Sequence, residues 1–466
     1  MVTTSFSGLL MVLLTGAGTP ANDLVSWIDP ADYFKSRDVF LSADKMMVLA
    51  DSEPADAKEE IARLLALRWL GAHPDDARKA EKSLATLKQV AAGKKGKDPH
   101  GFAREYAQRA LAVIEGKPAP AAPPLPAGSV RDEALRWFPA DVTICGALDL
   151  RPSGDPKGPD AKHPKEFPPV GLAAFLPPDA KERLYQFAEA VGNLRVHRIA
   201  FALQMPARGA EPERIYLRVT GLGDRGRLAA FIGQQLRGAT VTAKKGPRGE
   251  PITLAGSEDN APAFALAGDT DVIIAGYQKN KARHLDVVEQ ALATRAGGQP
   301  SVLNGRLAAR LKDVPEQAAG LLLGELTEDL VKEMTSHGSP FRAFPRRFAA
   351  DLVRDKGLQV RVEGAFKDAN EARAFVDSFE QVKAQGIAAL ANPAPGNPLP
   401  AADAKLLGEW LKGIKPEAKG DAVQGTVKVP VEVLKVWCAV MEKSLSPFQG
   451  SEPRIQPRRI RRVPKE

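Results

Sequence analysis

Ile215–Phe231 reads IYLRVTGLGDRGRLAAF. Within it, Gly221-Leu222-Gly223-Asp224-Arg225-Gly226 is a G-x-G-x-x-G set between an alternating apolar stretch and a helix-like one. In a βαβ unit this spacing builds a dinucleotide-binding turn, whose glycines let the backbone approach a pyrophosphate at a helix N-terminus. The context argues against that use. A Rossmann strand is buried on both faces and is continuously apolar, whereas Ile215, Leu217 and Val219 alternate with Tyr216, Arg218 and Thr220. The cofactor motif also needs a parallel crossover and a strand ending in an acidic residue about 20 residues on. Here the next strand-like segment ends in Lys244-Lys245. ATVTAKK, EPITLAG, APAFALAG and DVIIAGY then follow so closely that only antiparallel hairpins can join them. Lys244 as a partner for a 2′-phosphate fails on the same missing crossover.

A later stretch supplies the alternative. LQVRVEGAFKDANEARAF, Leu358 to Phe375, can be laid on the first with one inserted residue. Leu217-Arg218-Val219 falls on Val360-Arg361-Val362, Gly221 on Gly364, Asp224 on Asp368 and Phe231 on Phe375. Of the glycines only the first is kept. What the stretches share is a strand, a turn and a helix, with Asp224 as the helix N-cap. FPADVTICGALDL from Phe138 lies similarly on VPEQAAGLLLGEL from Val314, and HRIAFAL from His197 on RRFAADL from Arg346. The pattern predicts an α+β fold: two tandem units of mostly antiparallel sheet with helices on one face, at 129–298 and 299–446. One shared core and two separate lobes both satisfy it.

A small all-helical module precedes them at 22–116. Ile61, Leu64, Leu65 and Trp69 share one helical face, Leu84, Leu87 and Val90 a second, and Phe102, Tyr106, Ala110 and Ile114 a third. KPAPAAPPLPAG, 117–128, reads as a stiff Pro/Ala-rich linker. In residues 1–21 an apolar core, Phe6 to Leu14, is followed by small residues, as in a signal peptide cut after Ala17 or Ala21, although no Lys or Arg precedes it. That pattern leads us to expect export to the periplasm or beyond. No other run reaches the ~20 apolar residues of a membrane span.

Charge offers little direction. The formal net charge is +8 over 466 residues, and Ser451–Glu466, with six Lys/Arg against two Asp/Glu, carries half of it. The body therefore has no field that would select nucleic acid. The basic tail, 447–466, reads as disordered and suited to weak contact with polyanions. Cys145 and Cys438 both lie in apolar surroundings and read as buried free thiols, with a disulfide as the alternative.

No constellation of catalytic or metal-binding residues stands out. The six histidines, His73, His100, His163, His197, His284 and His337, include no i, i+4 pair. His163 reads as a solvated loop residue and His284 as a surface or boundary residue of an amphipathic helix. GKKGKD, Gly93 to Asp98, lacks the spacing of a phosphate-binding loop, and no G-x-S-x-G nucleophile elbow occurs. Asp149 and Glu325 end two corresponding strands. They could line a cleft between units, but they read more simply as strand-end surface residues. We assign no catalytic, cofactor-binding or metal residue and no cofactor.

Three features point to a family. FPADVTICGALDL opens a strand that ends in Asp-Leu, and AFALAGDTDVIIAG makes a hairpin turning at Gly-Asp. With GQPSVLNGRLAARLKDVPEQAAGLLLGEL after them, they make Phe138 to Leu445 resemble a broad group of exported bacterial proteins of unknown function built from tandem α+β repeats. The resemblance implies an envelope location and supplies no catalytic residue. The expected role is a non-enzymatic exported protein, binding or structural, whose partner is a protein or an envelope component. The alternatives are a hydrolase or transferase with dispersed residues in an inter-repeat cleft, and a cytoplasmic protein-interaction scaffold.

Overall fold

A computed structural model describes residues 23–436 apart from 81–82, 118–129, 131–134, 151–177, 207–210, 236–239, 247–248, 257–261, 269–271, 280–283, 317, 337–338, 356, 393–398, 431 and 434–435. The linker, the polar loop after Leu150, the N-terminal leader, the basic tail, His163, His337 and Cys438 lie outside the described residues.

The N-terminal part is helical, as expected: α1 (Leu24–Trp27), α2 (Pro30–Ser36), α3 (Ala43–Asp51), α4 (Ala57–Ala72), α5 (Pro74–Lys79), α6 (Ser83–Ala91) and α7 (Phe102–Ile114). Helix starts follow local chemistry. Asp29, Ser42 and Asp56 each accept a backbone N–H from the first turn of α2, α3 and α4. Ile61, Leu64 and Leu65 of α4 bury against Phe102 and Tyr106 of α7, which is the 3.6-residue period at work.

The rest is built on β1 (Ile144–Asp149), α8 (Pro178–Val191), β2 (Arg195–Gln204), β3 (Arg214–Leu222), α9 (Arg225–Gln235), β4 (Thr240–Lys245), β5 (Pro251–Gly256), β6 (Ala263–Ala267), β7 (Val272–Gln278) and α10 (Leu285–Arg295). It continues through α11 (Ala308–Leu311), β8 (Gly320–Glu325), α12 (Glu328–Ser336), β9 (Arg347–Asp355), β10 (Gly357–Ala365), α13 (Ala369–Ala391), α14 (Ala401–Lys412), β11 (Glu417–Lys419) and β12 (Ala422–Pro430). All the described strands form a single 12-stranded sheet in the order β11-β12-β10-β9-β8-β1-β2-β3-β7-β6-β5-β4, antiparallel throughout. The succession strand, helix, two strands, helix occurs twice, as β1-α8-β2-β3-α9 and as β8-α12-β9-β10-α13. The two halves meet at β1 and β8 and share one sheet rather than standing as lobes.

That seam explains one departure from the sequence pattern. Val142, Ile144, Leu148 and Leu150 suggest a strand with a single apolar face, yet β1 is buried at all six positions. As a central strand it is covered on both sides. Val287, Val288, Ala291 and Leu292 of α10, with Trp137 and Phe138, pack on the face carrying Cys145 and Ala147. On the other face Leu330 and Met334 of α12 pack over Ile144. The α13–α14 pair lies on that second face as well, with Leu407 and Trp410 against Leu358, Val427 and Val429.

The helical module shares a core with the sheet layer. Tyr185, Ala188 and Val191 of α8 and Leu228 of α9 bury in the same cluster as Leu24, Ile61 and Leu65. Polar links close the joint. The Leu24 N–H donates to the Leu194 carbonyl (2.9 Å), and Arg195 reaches Asp23 (3.2 Å) and Glu105 (2.7 Å). Arg37 of the α2 end holds Glu182 and Glu189 of α8, both at 2.9 Å.

Candidate functional site

The glycine turn has a structural explanation at each informative position. A β-carbon on Gly221 would stand 2.1 Å from the Arg195 carbonyl oxygen, and one on Gly223 2.1 Å from Leu194 Cδ2 and 3.2 Å from the Asn193 carbonyl oxygen. These residues are glycine because β3 ends pressed against the start of β2. Asp224 caps α9, its Oδ1 accepting the Arg227 N–H at 3.0 Å. Arg225 donates to the carbonyls of Gly268, Pro251 and Leu266. Gly364, the counterpart of Gly221, faces Pro345 Cβ, which a β-carbon would meet at 2.9 Å, and Asp368 caps α13 through the N–H groups of Asn370 and Glu371. Lys244 is held by Glu289 on α10 at 3.0 Å.

The two strand-end acids do not converge. Because β1 and β8 run antiparallel with Ile144 opposite Gly324, Asp149 and Glu325 sit at opposite ends of the seam. They are about 20 Å apart at ~3.4 Å per residue. Asp149 is buried and paired with Arg198 at 3.1 Å, so it is a core ion pair and not a surface residue. Glu325 is half-buried beside Arg306.

His284 also departs from its surface reading. It is buried at the N-terminus of α10, and its Nδ1 accepts the Gln278 N–H at 3.0 Å. Burial lowers its pKa and keeps the ring neutral. Sequence periodicity missed this because the residue precedes α10 and packs by the Tyr277 ring instead of lying on a helix face. Arg63 was not legible either: it is buried within α4, with Nε donating to the Ala50 carbonyl (3.2 Å) and Nη2 to the Lys95 carbonyl (3.0 Å). Among the described residues no three His, Cys, Asp or Glu side chains come together as a metal-binding group. No described helix is long and apolar enough to cross a membrane.

The most distinctive surface is a row of side chains across one face of the sheet. Directly opposed residues in an antiparallel sheet project to the same side. Following the register from strand to strand gives Gly425, Val362, Ala350, Leu322, Gly146, Phe201, Leu217, Ala275, Phe264, Ala255 and Val241. None of them is charged. The next row on this face, from Val427 through Val360, Leu352, Gly320, Leu148, Ile199, Val219, Ile273, Leu266 and Thr253 to Ala243, carries no charge either. Helices cover this face unevenly. The helical module and α9 reach Leu266 and Ile273, α12 reaches Phe201 and Leu322, and α13–α14 reach Val427. Between these covers Val241 (48%), Val362 (45%), Leu217 (39%) and Tyr277 (37%) remain exposed. Tyr277, opposite Ile215, lies on the same face.

The opposite face differs at its β9–β12 end. There a 470 Å³ trough is lined by Arg310, Asp313, Asp351, Arg361, Glu363 and Glu417 among others. Arg361 pairs with Asp351 at 3.0 Å and Arg310 with Glu363 at 2.7 Å, so the trough's charges largely neutralise one another.

No protein-family model matches the chain, and no curated protein matches it. Among solved structures it is similar to crystal form I of TP0453, with 9% identity and a TM-score of 0.33 over 67% of this chain and 96% of that one. A likeness at that level carries no functional argument.

Proposed function

We propose that the protein is an exported, non-enzymatic binding or structural protein of the bacterial cell envelope, built from two α+β repeats, and that it engages its partner through the parts of the apolar sheet face that helices leave exposed. The carrying observation is the exposure of Leu217, Val362, Val241 and Tyr277 on one side of the sheet. Scattered surface hydrophobics are ordinary, whereas adjoining ones on one face, as Leu217 and Tyr277 are across β3 and β7, mark interaction surfaces. The repeat reading has its own support. The sequence match that lays Gly146 on Leu322 brings together two residues that are direct cross-strand partners, as a local two-fold axis between β1 and β8 requires.

The test has two arms. Mass spectrometry of the mature N-terminus from the native cells should find a chain starting after Ala17 or Ala21; a chain starting at Met1 or Val2 defeats export. Pull-down of the full chain should recover a partner that Leu217→Asp with Val362→Asp no longer recovers. Deleting Arg454–Glu466 should leave that partner in place. A partner retained by the double variant defeats the assignment of this face.

A further inference from the structure

The two edges of the sheet are unlike. One ends in β11, three residues reading Glu-Ala-Lys, too short and too charged to template another strand. The other ends in β4, Thr240–Lys245, which pairs with β5 along its full length and has no strand on its outer side among the described residues. All six residues of β4 are exposed. None is proline, so alternate residues present both N–H and C=O outward. Edge lysines usually keep strands apart, but Lys244 is drawn onto α10 by Glu289. Thr240 to Ala243 is left as an uncharged template, and Val241 ends the apolar row there with about half of its surface exposed.

We propose that β4 pairs antiparallel with β4 of a second copy of this chain, about a two-fold axis normal to the sheet, joining two sheets into one. Such an axis keeps corresponding faces together, so partner residue numbers must sum to an even value. Thr242 opposite its own copy meets this condition. It also places Val241 opposite Ala243 and Thr240 opposite Lys244, and leaves Lys245 beyond the uncharged stretch. Thr–Thr and aliphatic pairs are favourable across strands, and no like charges face each other. Of the neighbouring even registers, the one centred on Val241 overlaps only Thr240 to Thr242 and the one centred on Ala243 sets Val241 against Lys245, while the one centred on Lys244 sets lysine against lysine. Complementarity of this segment to itself is what selects a second copy over an unrelated strand. The chain already contains a joint of this geometry, where β1 meets β8.

Sedimentation velocity on the full chain should show a dimer at micromolar concentration. Thr242→Lys puts like charges opposite each other at the axis and should weaken the dimer at least tenfold, with circular dichroism and unfolding midpoint unchanged. Thr242→Cys should form a disulfide-linked dimer under mild oxidation, mapped by mass spectrometry to the 242–242 peptide pair, while Val48→Cys, exposed on α3, should not. A chain that stays monomeric at 100-fold higher concentration (~100 μM or more) overturns the proposal. So does a dimer that survives Thr242→Lys or fails to link through Thr242→Cys, because its interface then lies elsewhere.

Discussion

Gly221 lies so close to the Arg195 backbone that a β-carbon there would stand 2.1 Å from the Arg195 carbonyl oxygen. The obstacle is backbone in the β2–β3 ladder and cannot rotate away. Gly221→Ala should therefore lower the unfolding free energy by about 3 kcal/mol, the upper end for overpacking. Gly223→Ala chiefly meets a Leu194 methyl, which side-chain rotation can shift, and should cost about 1 kcal/mol. Urea titration of both variants checks the ranking. The opposite order would mean that the glycines answer to something other than backbone approach.

Asp224 and Asp368 cap the two corresponding helices. Asp224→Ala should cost about 1 kcal/mol in a thermal or urea melt. Asp368 adds a pH signature. The Glu371 N–H, assisted by that of Asn370, holds its carboxyl below the usual aspartate range. Its stabilisation is complete above the unfolded value of about 3.9 and is lost as pH falls through the lower folded value. The melting-temperature difference between the native chain and Asp368→Ala should therefore be full at pH 7 and shrink as pH is taken down below about 3.9.

Arg195 ties the sheet to the helical module. Its guanidinium meets Asp23, which is fully buried, and Glu105, while Asp23 also accepts from the Tyr106 hydroxyl at 2.7 Å. Replacing it by methionine strands a buried carboxylate. The expected loss is about 3 kcal/mol or more, and the module's helical signal should melt ahead of the sheet. A single unchanged transition would show that the apolar contacts with α8 and α9 hold the joint alone.

Cys145 is buried between Ala202 of β2 and Leu323 of β8, and burial pushes its thiol up to about 12. It should resist a thiol reagent at pH 8 in the native state and react fully in urea. Non-reducing peptide mapping should recover it as a free thiol. Recovery in a disulfide with Cys438 would contradict this.

Much of the fold is legible locally. The alternation in Ile215–Thr220, the cap at Asp224 and the helical period at Ile61–Trp69 each act over one or two turns of chain, and each appears in the structure close to its expected place. The cofactor reading of GLGDRG could be set aside from the hairpins that follow it. Arg63 and Asp149 were beyond reach, since their partners are distant in sequence, and His284 because it is held just ahead of α10 by Gln278 and Tyr277 rather than by a helical period. Asp149 illustrates this well: its partner Arg198 lies across a strand pairing whose register no local pattern announces.

By itself, the sequence determined the α+β class, the antiparallel hairpins and the recurrence of a strand–turn–helix piece, because hydrophobic period, turn residues and caps are short-range. The tertiary structure alone decided that β1 and β8 pair to make one sheet, that Asp149 and Glu325 end far apart, and that Leu217, Val362 and Val241 stay exposed in a row whose middle α12 covers. Those outcomes depend on register between distant strands and on where helices land. The hydrophobic effect rewards burial without naming the partner, so the choice of partner is settled only when the whole chain packs.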